Sequence, residues 1–165
     1  LRYNNSKAAV KERQEYLIKH NIGVCDIVES CEREKVDASD LGMQNCKLRD
    51  IIAYLKQFPN IDTLLYIVGH YIYGPEYFFR KHIKEYNINL ELVSKEKPKI
   101  QEFVMPNKLL EGNSKQRIIK TVSLTSSSGA ANISIGSNPL YKQLKANNPK
   151  FNTFDFRILQ YQEYL

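Results

Sequence analysis

Residues 61–68, Ile-Asp-Thr-Leu-Leu-Tyr-Ile-Val, constrain the fold more than any other segment. The run is nearly continuously apolar, follows Pro59-Asn60 and ends at Gly69. A strand that faces water on one side alternates apolar and polar residues. Unbroken hydrophobicity instead demands cover on both faces, as in a parallel sheet between helices. The neighbouring patterns agree. Residues 7–20 read as a surface helix with Ser6 as N-cap, and residues 47–58 place Leu48, Ile51, Ile52 and Leu55 at helical spacing before Pro59. Residues 76–86 read as a helix entered through Gly74-Pro75, and 139–146 and 153–165 as two more. Residues 22–28, 88–93 and 117–124 read as strands. Polar residues 29–45 predict a long loop, and the Pro-containing stretch 95–113 carries no readable pattern. The expected architecture is α/β: one domain over residues 1–165, a three-layer α/β/α sandwich with a mainly parallel central sheet.

Composition narrows the class. Apolar residues make up 42% of the chain, with 11 Tyr and 7 Phe, enough to bury a core and incompatible with disorder. The longest apolar run, 64–68, is far short of the ~20 residues that span a bilayer, so no membrane partner is expected. Three cysteines, Cys25, Cys31 and Cys46, at irregular spacing fit neither a disulfide framework nor a metal knuckle; they predict a reducing, cytoplasmic setting of the bacterial type. Charge is uneven. Residues 1–75 hold ten basic and ten acidic side chains, whereas 76–165 hold fourteen and eight. Residues 112–154 contain no Asp or Glu but carry Lys115, Arg117, Lys120, Lys142, Lys145 and Lys150. Such a one-sign stretch repels itself unless a polyanion neutralises it, so nucleic acid is the expected partner, against the plainer reading of a solvated lysine face.

In open parallel sheets, ligands bind beyond the carboxyl ends of the strands. Those positions here are Asp26, Gly69-His70 and the segment after Leu124, Thr-Ser-Ser-Ser-Gly-Ala-Ala-Asn. Small residues let backbone amides approach a phosphate, and three hydroxyls add donors; the same composition also suits a flexible connector. Asp26 is a candidate to accept a proton or orient water, with capping or pairing to Arg33 as its structural alternative. His70 faces either a ligand or its own packing neighbours. Among Tyr71, Tyr73, Tyr77, Phe78 and Phe79, some belong to the core and one is available to stack on a base.

Three stretches together carry a resemblance. Asn21-Ile22-Gly23-Val24-Cys25-Asp26-Ile27-Val28 with Cys31-Glu32-Arg33 and Asp37, then Pro59-Asn60-Ile61 leading to Leu65-Tyr66-Ile67-Val68-Gly69, then Val122-Ser123-Leu124-Thr125-Ser126-Ser127-Ser128-Gly129-Ala130-Ala131-Asn132 resemble, in order and spacing, motifs of the uracil-DNA glycosylase superfamily. The nearest branch is the hypoxanthine- and mismatch-specific one. The resemblance implies excision of a damaged or deaminated base (uracil, hypoxanthine or mismatched thymine) flipped from double-stranded DNA, without a metal or other cofactor; the sequence leaves the oligomeric state open, with a monomer favoured. It implies DNA contacts at Ser126, Ser127, Ser128, Gly129 and Asn132, with Lys142 and Lys145 beside them. It places a base pocket at Asp26, Val68, Gly69 and His70, with Asp26 and His70 as catalytic candidates. The family's first motif has no counterpart, which implies a segment preceding Leu1. Its central Asn falls on Val68, and its last-loop prolines fall on Thr125 and Ser127. The alternative is a relative that kept the fold and binds DNA or a nucleotide without catalysis.

Overall fold

The computed structural model describes residues 4–35, 42–68, 73–96, 98–106 and 116–164, with the Val68 side chain excepted. Helix α1 (Lys7–Lys19) starts at Ser6, whose hydroxyl accepts the Ala9 amide proton, and stops before Asn21, which adopts a positive φ of 54°. The expected strand at 22–28 is absent. Val24 is exposed, and the Asp26 carboxylate accepts the Val28 N–H at 3.0 Å, a local turn that competes with strand pairing.

Strand β1 (Val28–Arg33) pairs antiparallel with β2 (Met43–Leu48), so residues 29–33 and 43–45 of the expected loop are strand. Register shifts at Val28/Ser30 and Ser30/Glu32 break the two-residue period. The half-buried positions are Val28 and Cys31 on one strand, and Met43, Cys46 and Leu48 on the other. A two-stranded ribbon with bulges exposes most of its residues, which is why its sequence reads as loop.

Helix α2 (Ile51–Gln57) begins later than its apolar spacing suggests, because Asp50 caps it through the Ala53 amide at 2.9 Å. The same carboxylate accepts the Tyr86 hydroxyl at 2.7 Å and lies 3.2 Å from His82 Nε2, fastening the α2 entry to the end of α3 (Pro75–Lys84). That hydrogen bond, with burial adding to it, pushes the Tyr86 hydroxyl up to about 12.

Strands β3 (Thr63–Val68), β4 (Glu91–Ser94), β5 (Lys99–Met105) and β6 (Arg117–Thr125) form one sheet in the order β3-β6-β5-β4. Among the described strands only β3 and β6 run parallel; β5 lies antiparallel to both β6 and β4. The sheet is therefore mixed rather than mainly parallel. Residues 95–98 join β4 to β5 and residues 106–116 join β5 to β6, and both connections are shorter than the dozen or so residues of a parallel crossover. β5 occupies part of the stretch that carried no readable pattern.

Residues of β6 alternate between two environments. Ile119 belongs to a cluster with Ile51, Ile52 and Leu55 of α2, Phe79 and Ile83 of α3, and Tyr66, Phe103 and Met105 of neighbouring strands. Each large ring buried there contributes about 2–3 kcal/mol. On the opposite face, Val122 and Leu124 are also buried. The helices that follow β6, α4 (Asn132–Ser137), α5 (Pro139–Asn147) and α6 (Thr153–Gln162), bury Ile135 and Phe156, and α6 packs against β6. Two charged groups lock the sheet to its helices. The Arg117 guanidinium donates to the carbonyls of Leu55, Phe58 and Ile61 at the end of α2. Glu76, buried in the first turn of α3, accepts from Arg80, Lys99 and Ser123.

Candidate functional site

The last residue of β3 pairs with the last of β6, Val68 with Thr125, so the chain leaves both strands at one edge of the sheet. The segment leaving β6 is the serine-rich loop, closed by a short 3-10 turn at Gly129–Ala131. It is held from behind by α6. The Asn152 side chain accepts the Asp155 amide proton while the Asp155 carboxylate accepts that of Asn152, a capping box that fixes where α6 starts. Arg157 and Tyr161 follow one turn apart on the same face. Arg157 Nε donates to the Ser126 carbonyl at 2.8 Å, and its Nη2 donates to both the Ser128 carbonyl at 2.9 Å and Asn132 Oδ1 at 2.8 Å. Tyr161 donates its hydroxyl to the Thr125 carbonyl at 2.6 Å. Burial raises the Tyr161 hydroxyl against the opposing charge of Arg157, which keeps it a donor.

Two properties follow. Carbonyl oxygens of Ser126 and Ser128 point toward Arg157, and in a planar trans peptide the next amide points the other way; the N–H groups of Ser127 and Gly129 are therefore directed away from the guanidinium. These bonds of Arg157 all end on neutral oxygens, so its charge persists beside the loop and favours an anion there. Ser127, Ser128 and Gly129 are exposed, and Ser126 turns its hydroxyl back to accept the Ser128 amide at 3.1 Å.

Beside this loop lies an open groove of about 490 Å³, lined by Tyr16 of α1, Ser127, and Phe154, Arg157, Ile158 and Tyr161 of α6. Phe154 is 54% exposed, a high value for a phenylalanine without a covering partner. Aromatic and aliphatic walls with a hydroxyl and a guanidinium at one end suit a planar ring bearing an anionic group. Among the described lining residues there is no carboxylate or imidazole.

The other expected residues disperse. Asp26 sits at the hairpin base, its carboxylate occupied by Val28 N–H and its carbonyl accepting Arg49 Nε at 3.0 Å, so the arginine that reaches it is Arg49. Val68 ends β3, whereas Gly69, His70, Tyr71, Asp37 and Lys115 lie outside the described residues. Asn132 opens α4 and holds Arg157 through its side chain. Lys142 is exposed on α5. Lys145 Nζ donates to the carbonyls of Pro149 and Phe151, both at 2.7 Å, and thereby ties the end of α5 to the approach to α6. Arg117 lies at the opposite end of β6 from the loop, and Lys120 is exposed between them. The acid-free stretch is thus not one cradle, because two of its cations serve the backbone. Phe78 and Phe79 are core, and Tyr77 is partly exposed. Tyr16, Phe154, Arg157 and Tyr161 were not visible as site residues; the only local signal was the Asn152-x-x-Asp155 start that fixes the phase of α6.

No protein-family model, no curated protein and no solved structure matches this chain. Among the described residues no helix is long and apolar enough to cross a membrane, and no three His, Cys, Asp or Glu side chains converge.

Proposed function

We propose that the chain binds double-stranded DNA through loop 126–129 and receives an exposed base in the adjoining groove, in the service of base excision as in the uracil-DNA glycosylases it resembles. The supporting observation is the Arg157 anchor: it turns two loop amides outward and leaves a positive charge behind them, a combination suited to a phosphate. In this reading the sheet is the middle layer of an α/β/α sandwich. Hydrolysis would require a group that polarises water near the extruded nucleotide, and electrostatic stabilisation of the departing base would provide much of the rate. His70 is a candidate for that group that the resemblance supplies.

A second reading, binding without catalysis, is favoured by the groove itself, whose described lining carries no carboxylate or imidazole, and by Val68 at the position of the family's Asn. Duplexes holding uracil, hypoxanthine or a mismatched thymine separate the two. Release of free base, measured by chromatography, supports excision. Salt-sensitive binding without release supports the binding module, and no binding at low salt removes both.

A further inference from the structure

A second chemical feature lies in the hairpin, away from the serine loop. Cys31 and Cys46 are half-buried positions in the middle of β1 and of β2. The pairings Ser30 with Lys47 and Glu32 with Gln44 flank them, so Cys31 lies across from Asn45 and Cys46 where the register shifts. Both thiols are free, and the strand pairing sets them on opposing strands of the same ribbon. Lys81 of α3 and Arg33 bring positive charge toward Cys46, while burial and the Cys31 sulfur push its thiol up. Cys25, by contrast, is exposed outside the hairpin.

We propose that Cys31 and Cys46 are a reversible redox pair, which a low-molecular-weight disulfide such as oxidised glutathione closes into an intramolecular bond across the hairpin. The thiolate of Cys31 attacks one sulfur of the small disulfide; an S–S bond forms to the protein and a glutathione thiolate leaves, taking up a proton. Cys46, which is held as the thiol, loses its proton as it attacks the Cys31 sulfur and expels the second glutathione as thiolate. Two protein thiols are oxidised and one small disulfide is reduced to two thiols. The position of Cys46 across the hairpin from Cys31 makes ring closure faster than further attack from solution. Reducing compartments keep such pairs open at rest, and a shift in thiol poise closes them.

The experiment uses the full chain, reduced and then exposed to oxidised glutathione under native conditions, followed by alkylation and non-reducing peptide mapping. The expected product joins the Cys31 and Cys46 peptides, lighter by the two thiol hydrogens, and dithiothreitol restores both thiols. In Cys46→Ser the glutathione adduct at Cys31 accumulates and persists, because the resolving sulfur is gone. Separate glutathione adducts at Cys31 and Cys46 in the native chain, bonds to Cys25, or two unmodified thiols after glutathionylation of Cys25 would each overturn the proposal. The native-chain result stands whether or not the serine variant folds.

Discussion

Arg157 illustrates how one side chain shapes a loop it does not belong to. Its planar fork serves acceptors on two loop residues and on α4, a set a single ammonium cannot reach. Arg157→Lys keeps the charge and loses the geometry. It should lower stability by about 2 kcal/mol in urea unfolding and weaken low-salt duplex binding about tenfold. Unchanged affinity would detach the loop from DNA contact. Glu76 is the counterpart in the core. Burial alone would raise its carboxyl, but Lys99, Arg80 and Ser123 together outweigh that and hold it below the usual glutamate range. A folded-state value below the unfolded one means that the unfolded chain binds more protons. The contribution is therefore complete above the ordinary carboxylate range and is lost as pH falls through the lowered folded value. Glu76→Gln should cost about 3 kcal/mol near neutrality and flatten that acid-side slope, read from urea midpoints across the range.

At the scale of elements, α6 is the part whose start matters most, because a shift in its phase would carry Arg157 and Tyr161 off the loop. Asn152→Ala removes the capping box and should lower stability by about 1 kcal/mol, measured as a drop in melting temperature. Binding should fall with it, since the same cap positions the anchor. Elements that obey one strong local rule were legible in the sequence. Continuous apolarity marked β3, Gly74-Pro75 marked the entry to α3, and residues 139–146 and 153–165 read as the helices that became α5 and α6. The hairpin was not, because its bulged strands bury roughly every third residue and imitate no regular period. Strand direction in the sheet was also hidden, since burial on both faces, as in β6, does not report whether a neighbour runs parallel or antiparallel. The position of the serine loop at the sheet edge followed from β6 directly, whereas its anchor did not, because a contact between Ser126 and Arg157 leaves no mark on nearby residues.

For the molecule as a whole, the formal charge of +6 says less than where the free cations lie. Arg117 and Lys145 are fastened to carbonyls, whereas Lys142 projects from α5. Lys142→Glu should reduce the slope of log affinity against log salt by about one, with stability unchanged. Lys145→Met should do the reverse, costing about 1–2 kcal/mol in thermal unfolding through the loosened α5–α6 connection. An equal effect of both on the salt slope would show that α5 meets DNA along its length. The loop and its anchor also have a history within each molecule. Ser126 is 31 positions ahead of Arg157 in the chain, so at the usual pace of translation the serines leave the ribosome roughly 2–6 s before the arginine that organises them. A nascent chain in that interval carries the hydroxyls without their backing, and competence to grip a phosphate arrives only when the later helix has been made.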